Sequence, residues 1–187
     1  MSSSPGLGEA FDAILAAAQT GEPWAYNRIF EWLGRPVAGY LRGAGVEDPD
    51  GLANEVFLRV FGGVDRFVGT EGRFRSWVFA IAHNLVIDDR RRRSRRPQQA
   101  PLEGDVGPSA DAAEDGALVV LGDERLRAVI AELPPDQRDV VLLRIVADFS
   151  IEDTAAALGK KPGAVKSLQH RALGALRRRL GEGGISL

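Results

Sequence analysis

Residues 150–180 read SIEDTAAALGKKPGAVKSLQHRALGALRRRL, and this stretch decides the fold. Ser150 is a good helix cap, and Asp153 three positions on is a short-armed version of the capping-box acid. Ile151, Ala155 and Leu158 supply one apolar face, and the run of alanines allows close helix packing. Gly159 ends this helix, and Pro162 suits the first turn of the next. A helix of about eight residues, a short turn with glycine and a second helix make a helix-turn-helix. In the second helix Val165, Leu168, Ala172 and Leu176 point inward. Lys166, Ser167, His170 and Arg171 then project outward from its N-terminal half, where such a helix meets base edges in the major groove. Arg177, Arg178 and Arg179 are placed to reach phosphates.

Upstream, the chain reads helical throughout. Gln137–Ala147 and Leu118–Leu133 are amphipathic and separated by Pro134–Pro135. Near the N-terminus, Phe11, Ile14, Leu15 and Ala18 follow a helical period that stops at Gly21. Tyr26, Ile29, Phe30, Leu33, Val37 and Leu41 continue it in a second helix, which Pro36 either kinks or divides. Asp48 or Asp50 caps a third, carrying Leu52, Val56, Val60 and Phe61. A loop, VDRFVGTEGRF, precedes a fourth helix from about Arg75 to Arg93. Alternating strand-like runs are absent. The expected class is all-α.

Between the two helical parts runs PQQAPLEGDVGPSADAAEDG, from Pro97 to Gly116. Prolines, glycines, small residues and acids leave little to bury, so a flexible acidic linker is expected. It divides the 187 residues into a helical domain over 1–96 and a second over 117–187, the latter holding the helix-turn-helix. The formal net charge of −2 conceals a strong segregation. Residues 59–96 carry +6 and 125–180 carry +5, whereas 1–58 carry −5 and 97–124 carry −7 with no Lys or Arg. Two basic blocks suggest two surfaces that meet polyanions, joined by a connector of opposite sign.

Composition narrows the chemistry further. Hydrophobic residues make up 44% and charged residues 27%, a balance typical of soluble globular chains. No apolar run approaches the ~20 residues of a membrane span, and MSSSPGLGEAFDAI lacks the marks of a secretory signal, so a cytoplasmic protein is expected. With no Cys, and His83 and His170 as the only histidines, neither a thiol nucleophile nor a local metal pair is expected. Nothing calls for a cofactor.

The stretch GRFRSWVFAIAHNLVIDDRRRRSRRP combines aromatics with six arginines between Arg90 and Arg96. Such a run binds phosphates with strong salt dependence. Phe67, Phe74 and Trp77 bracket a glycine-containing loop beside it. Rings next to a basic surface suit single-stranded nucleic acid, since an unpaired base stacks on them or enters a pocket. Against that stand plainer roles. Phe74 and Trp77 fit the hydrophobic core, Asn84 fits a solvated polar position as well as a base reader, and His83 fits packing. Asp88 is expected to pair with Arg92 at i+4.

At this point the sequence resembles the group IV, or extracytoplasmic-function, sigma factors of bacterial RNA polymerase. DPDGLANEVFLRVFGGVDRF is similar to the family's polymerase-binding segment, and GRFRSWVFAIAHNLVIDDRRRRSRR to its promoter-melting and minus-ten-reading segment. LPPDQRDVVLLRIVADFSIEDTAAALGKKPGAVKSLQHRALGALRRRL is similar to its minus-thirty-five-reading domain. The order of the three and the acidic linker also match. The resemblance implies core RNA polymerase and promoter DNA, duplex and melted, as partners, with an anti-sigma factor as a further one. It places Leu52, Glu55, Val56 and Arg59 on the polymerase. Asn84 and the loop from Asp65 to Phe74, with Arg66, Phe67, Arg73, Phe74 and Trp77, would hold a flipped base of the minus-ten strand, with Arg91 and Arg92 near its phosphates. Lys166, Ser167, His170, Arg171 and Arg177 fall at the duplex-reading positions. One departure stands at Leu168–Gln169, where the family more often has a basic residue and then an apolar one.

Two other functions compete. A helix-turn-helix regulator acting without polymerase leaves the aromatic, arginine-rich segment unexplained. A metal-dependent nuclease would need Asp88 and Asp89 to share an ion, yet neighbouring helical positions point about 100° apart.

Overall fold

The computed structural model of the protein describes residues 6–95, 124–145 and 147–181. The expected linker and Leu118–Asp123 lie outside the described residues. The first half begins with a 3-10 turn, Gly8–Ala10, and continues as α1 (Phe11–Gln19), α2 (Pro23–Gly43) and α3 (Pro49–Gly63). A second 3-10 turn, Val64–Arg66, leads through a loop into α4 (Glu71–Arg95). The second half contains α5 (Glu124–Ala131), α6 (Pro135–Ile145), α7 (Ile151–Leu158) and α8 (Pro162–Gly181). No strand occurs among the described residues.

Local chemistry accounts for most boundaries. The Asp48 carboxylate accepts the Gly51 N–H at 2.8 Å and starts α3. Ser150 Oγ accepts the Asp153 N–H at 3.0 Å and starts α7, while Gly159 ends it at a φ of 62° that favours glycine. Pro36 lies inside α2, which nonetheless runs unbroken through it. Helix α4 begins at Glu71, four residues before the expected Arg75, because the acidic Glu71 suits a first turn. Asp88 meets Arg91 at 3.7 Å rather than the expected Arg92, and Asp89 takes Arg93 at 2.9 Å.

The two halves share one continuous apolar cluster. Helix α4 lies along α7, and Phe149, just before α7, is buried with its ring 4.9 Å from that of Phe79 on α4. Arg75, also on α4, lies over the Phe149 ring at 4.9 Å and donates to the Ala147 carbonyl. Farther along α4, Arg90 grips Asp139 of α6 with two hydrogen bonds of 2.9 Å each, and Asp139 is only 1% exposed. Arg138 reaches from α6 to the Ala44 carbonyl at 3.2 Å, stitching the end of α2 to the second half.

Gly43, the last residue of α2, faces Leu142 of α6. A Cβ there would run into the Leu142 side chain, which is fully buried. Gly43→Val should therefore pry the halves apart, costing about 1–3 kcal/mol as overpacking does. Urea unfolding of the full chain reads this as a lowered midpoint with helix content retained. An unchanged midpoint would mean that the helices have room to spare.

Candidate nucleic-acid interface

Helix α4 divides sharply into faces. Phe74, Val78, Phe79, Ala82, Leu85 and Val86 are buried. Arg73, Asn84 and Arg91 are exposed and Trp77 is half-buried. Their spacings of four, seven and seven residues put them on one stripe, about 27 Å long at 1.5 Å per residue. Arg92 is also exposed, beside the stripe.

The loop before α4 supplies an aromatic floor at one end of that stripe. The Phe67 ring stands edge-on to Phe74 at 5.0 Å and tilted against Trp77 at 5.2 Å. Phe74 and Trp77 are 5.5 Å apart. Phe74 is fully buried and supports the other two from beneath, whereas Phe67 and Trp77 each keep an accessible edge. Arg66 is exposed, and Val68 is 88% exposed at the loop tip. The structure thus brings Arg66, Phe67, Arg73, Phe74 and Trp77 together. Asn84 lies two helical turns beyond Trp77, about 10 Å farther along.

One residue behind Asn84 the helix turns inward. His83 is 7% exposed, and its Nδ1 shares a 3.0 Å hydrogen bond with the buried Tyr40 hydroxyl. Burial raises the Tyr40 pKa well above its ordinary value, with Asp139 acting the same way and Arg90 opposing, so the hydroxyl keeps its proton. Burial also lowers the His83 pKa; Arg90 and Lys160 add to this, while Asp139 and Asp136 oppose it. At neutral pH the imidazole is therefore uncharged, and its 3.6 Å approach to Asp139 is not an ion pair.

The second basic surface is on α8. Val165, Leu168, Ala172 and Leu176 are buried, as their spacing requires. Lys166, Ser167, His170, Arg171 and Arg177 are exposed. Ser167 Oγ donates to the Gly163 carbonyl at 3.0 Å, and Arg171 Nε to the Ser167 carbonyl at 3.3 Å. An open cleft of about 460 Å³ separates His170 and Arg171 from the turn at Leu133–Pro134.

On α3, Arg59 is exposed and pairs with the half-buried Glu55 at 2.8 Å, beside half-buried Leu52. Val56 is fully buried and faces the core. Phe30, expected on the apolar face of its helix, is 47% exposed and tops an aromatic ladder of Phe57, Phe61 and Tyr26, and sequence reasoning passed over Leu58, 69% exposed. An apolar residue standing on the polar side of its helix is the signal that was available.

Residues 24–96 match the family described as Sigma-70 region 2, and residues 123–176 match Sigma-70, region 4. The ECF RNA polymerase sigma factor SigD of Mycobacterium tuberculosis is 32% identical over 179 residues, covering 89% of this chain and 82% of that one. This chain belongs to the extracytoplasmic-function sigma factors. The ECF sigma factor BldN of Streptomyces coelicolor is likewise 32% identical over 89% of the chain, which spans 64% of BldN's length. The fold is similar to that of CnrH, solved in complex with the cytosolic domain of CnrY, at a TM-score of 0.70 and 23% identity over 94% of this chain and 100% of that one. It is also similar to the sigma factor RpoE of Bartonella quintana, solved with the anti-sigma factor NepR, at 0.60 and 18% over 92% and 98%.

In this sigma factor His83 couples pH to stability. Its folded pKa lies below the ordinary value of about 6.5, so the unfolded chain takes up the proton at a higher pH than the folded one. Stability is complete above about pH 6.5 and falls as the pH drops from there toward the folded pKa. Urea midpoints from pH 7.5 to 5 should decline for the native chain, and His83→Gln should flatten that part of the decline. Equal slopes for the two would leave the acid sensitivity to the carboxylates.

Proposed function

We propose that the α4 stripe and its aromatic loop read and hold the melted minus-ten strand, while the outward face of α8 reads the minus-thirty-five duplex. The carrying observation is the stripe itself. Arg73, Trp77, Asn84 and Arg91 line one exposed face of a helix whose N-terminal end carries stacked rings. Extruding a base costs a few kcal/mol, so a preformed ring floor favours the promoter that opens most cheaply. Leu52, Glu55 and Arg59, with exposed Leu58 and Phe30, form the surface offered to core RNA polymerase, and Val56 shapes it from beneath.

The protein acts by binding and opening DNA rather than by bond chemistry, in the cytoplasm where polymerase works. No helix among the described residues is long and apolar enough to cross a membrane. The anti-sigma factor bound to the Bartonella quintana neighbour supports a partner of that kind here.

Such a function requires the two halves to separate. Elements centred at minus-thirty-five and minus-ten are about 25 base pairs apart, or roughly 85 Å at 3.4 Å per base pair. A compact body of the described size is only about 40 Å across. The docked arrangement therefore belongs to the sigma factor off the promoter.

Transcription by core polymerase on a promoter library tests the two readers separately. Asn84→Ala should slow open-complex formation and relax preference within the minus-ten element alone. Lys166→Ala or His170→Ala should shift preference upstream by about 1–3 kcal/mol. Uniform weakening over every promoter by all three would reduce them to phosphate or surface residues.

A further inference from the structure

We infer that α1 is a brace for the base-reading loop, with Gln19 and Glu71 as its positioning residues. The inference rests on the proposed role of that loop and adds to it. Helix α1 ends before residue 24, where the match to region 2 begins, so the family pattern assigns it nothing.

Gln19 is the last residue of α1, and its side chain turns away from its own helix. The amide nitrogen donates to the Val64 carbonyl at 3.2 Å and to the Phe67 carbonyl at 2.8 Å. Those carbonyls flank Asp65 and Arg66, so one side chain fixes the backbone on both sides of the residues turned to solvent. At the loop's far end Glu71 completes the clamp. Its carboxylate accepts the N–H groups of Leu7 and Gly8 at 3.0 Å each, where the chain enters the turn before α1. The Phe11 ring of α1 meets Phe74 edge-on at 5.8 Å. The same N-terminal segment thus holds both ends of the loop and the ring beneath it.

The loop needs such support because it buries little of its own. Val68 is almost fully exposed, and Phe67 alone reaches inward between residues 65 and 70. Gly69 lets that ring settle, since a Cβ there would lie 3.2 Å from Phe67 Cζ and from the Arg73 side chain. Ordering a loop on binding costs conformational entropy, so a loop held in place beforehand discriminates bases that a wandering one cannot. A surface hydrogen bond that merely adds stability would have no such effect on which base is preferred.

The test uses the full chain with core polymerase on promoters varied at each minus-ten position. Gln19→Leu removes both donors, and Gln19→Glu sets a carboxylate against two carbonyls. Both should flatten preference at the loop-read position about fivefold, the worth of one ordinary hydrogen bond. Affinity for core polymerase and preference at minus-thirty-five should stay as they are. Gln19→Lys restores a donor of similar reach and should restore the preference. Uniformly slower initiation with the base preference intact would overturn the brace. A combined Arg66→Ala, Val68→Ala variant separates the two levels of the argument. If it shifts the preference and Gln19→Leu does not, the brace fails while the loop reading stands. If neither shifts it, the loop reading fails and takes the brace with it.

Discussion

Asp139 is a carboxylate with almost no access to water, and that fact constrains the rest of the molecule. An ionised carboxylate buried without partners is too costly to keep, so Asp139 must be met by donors or by a positive charge. Arg90 meets both of its oxygens. The two residues lie 49 positions apart on different halves, so satisfying one carboxylate fixes α6 against the C-terminal part of α4. The neighbouring pieces follow from that placement. Leu142 drops onto Gly43, Phe149 packs against Arg75 and Phe79, and His83 is sealed beside Tyr40.

The same helix serves two purposes by using different faces. Arg90 turns toward the second half, while Arg91 on the next position faces solvent with Asn84 and Trp77. Docking and the proposed DNA reading thus use different side chains, yet both proposed readers are drawn onto one compact body. Under the proposed promoter reading that body has to open, and the Arg90–Asp139 contact is the polar lock that would be given up.

The helix-turn-helix was legible because its signals are local. Ser150, Gly159, Pro162 and the buried run of Val165, Leu168, Ala172 and Leu176 each determine their structure within a turn or two. Asp48 as the cap of α3 was legible for the same reason. The docked interface was not, since Asp139 in LPPDQRDVV has the look of a solvated acid and Arg90 that of one more phosphate-binding arginine. Only tertiary packing distinguishes Arg90 from Arg91. The Asp88 pairing went to i+3 rather than i+4 because Arg92, its i+4 neighbour, lies toward half-buried Asp89 at 4.0 Å. Gln19 gave no signal at all, because its partners are backbone carbonyls more than forty positions away.

A double-mutant cycle on Arg90 and Asp139 tests the account most directly, with Arg90→Met, Asp139→Leu and the double variant compared by urea unfolding of the full chain. If the pair is the buried lock, each single change leaves an uncompensated charge and costs about 3–5 kcal/mol, while the double change costs clearly less than their sum. Single losses below about 1 kcal/mol that simply add, as for an exposed surface pair, would contradict it.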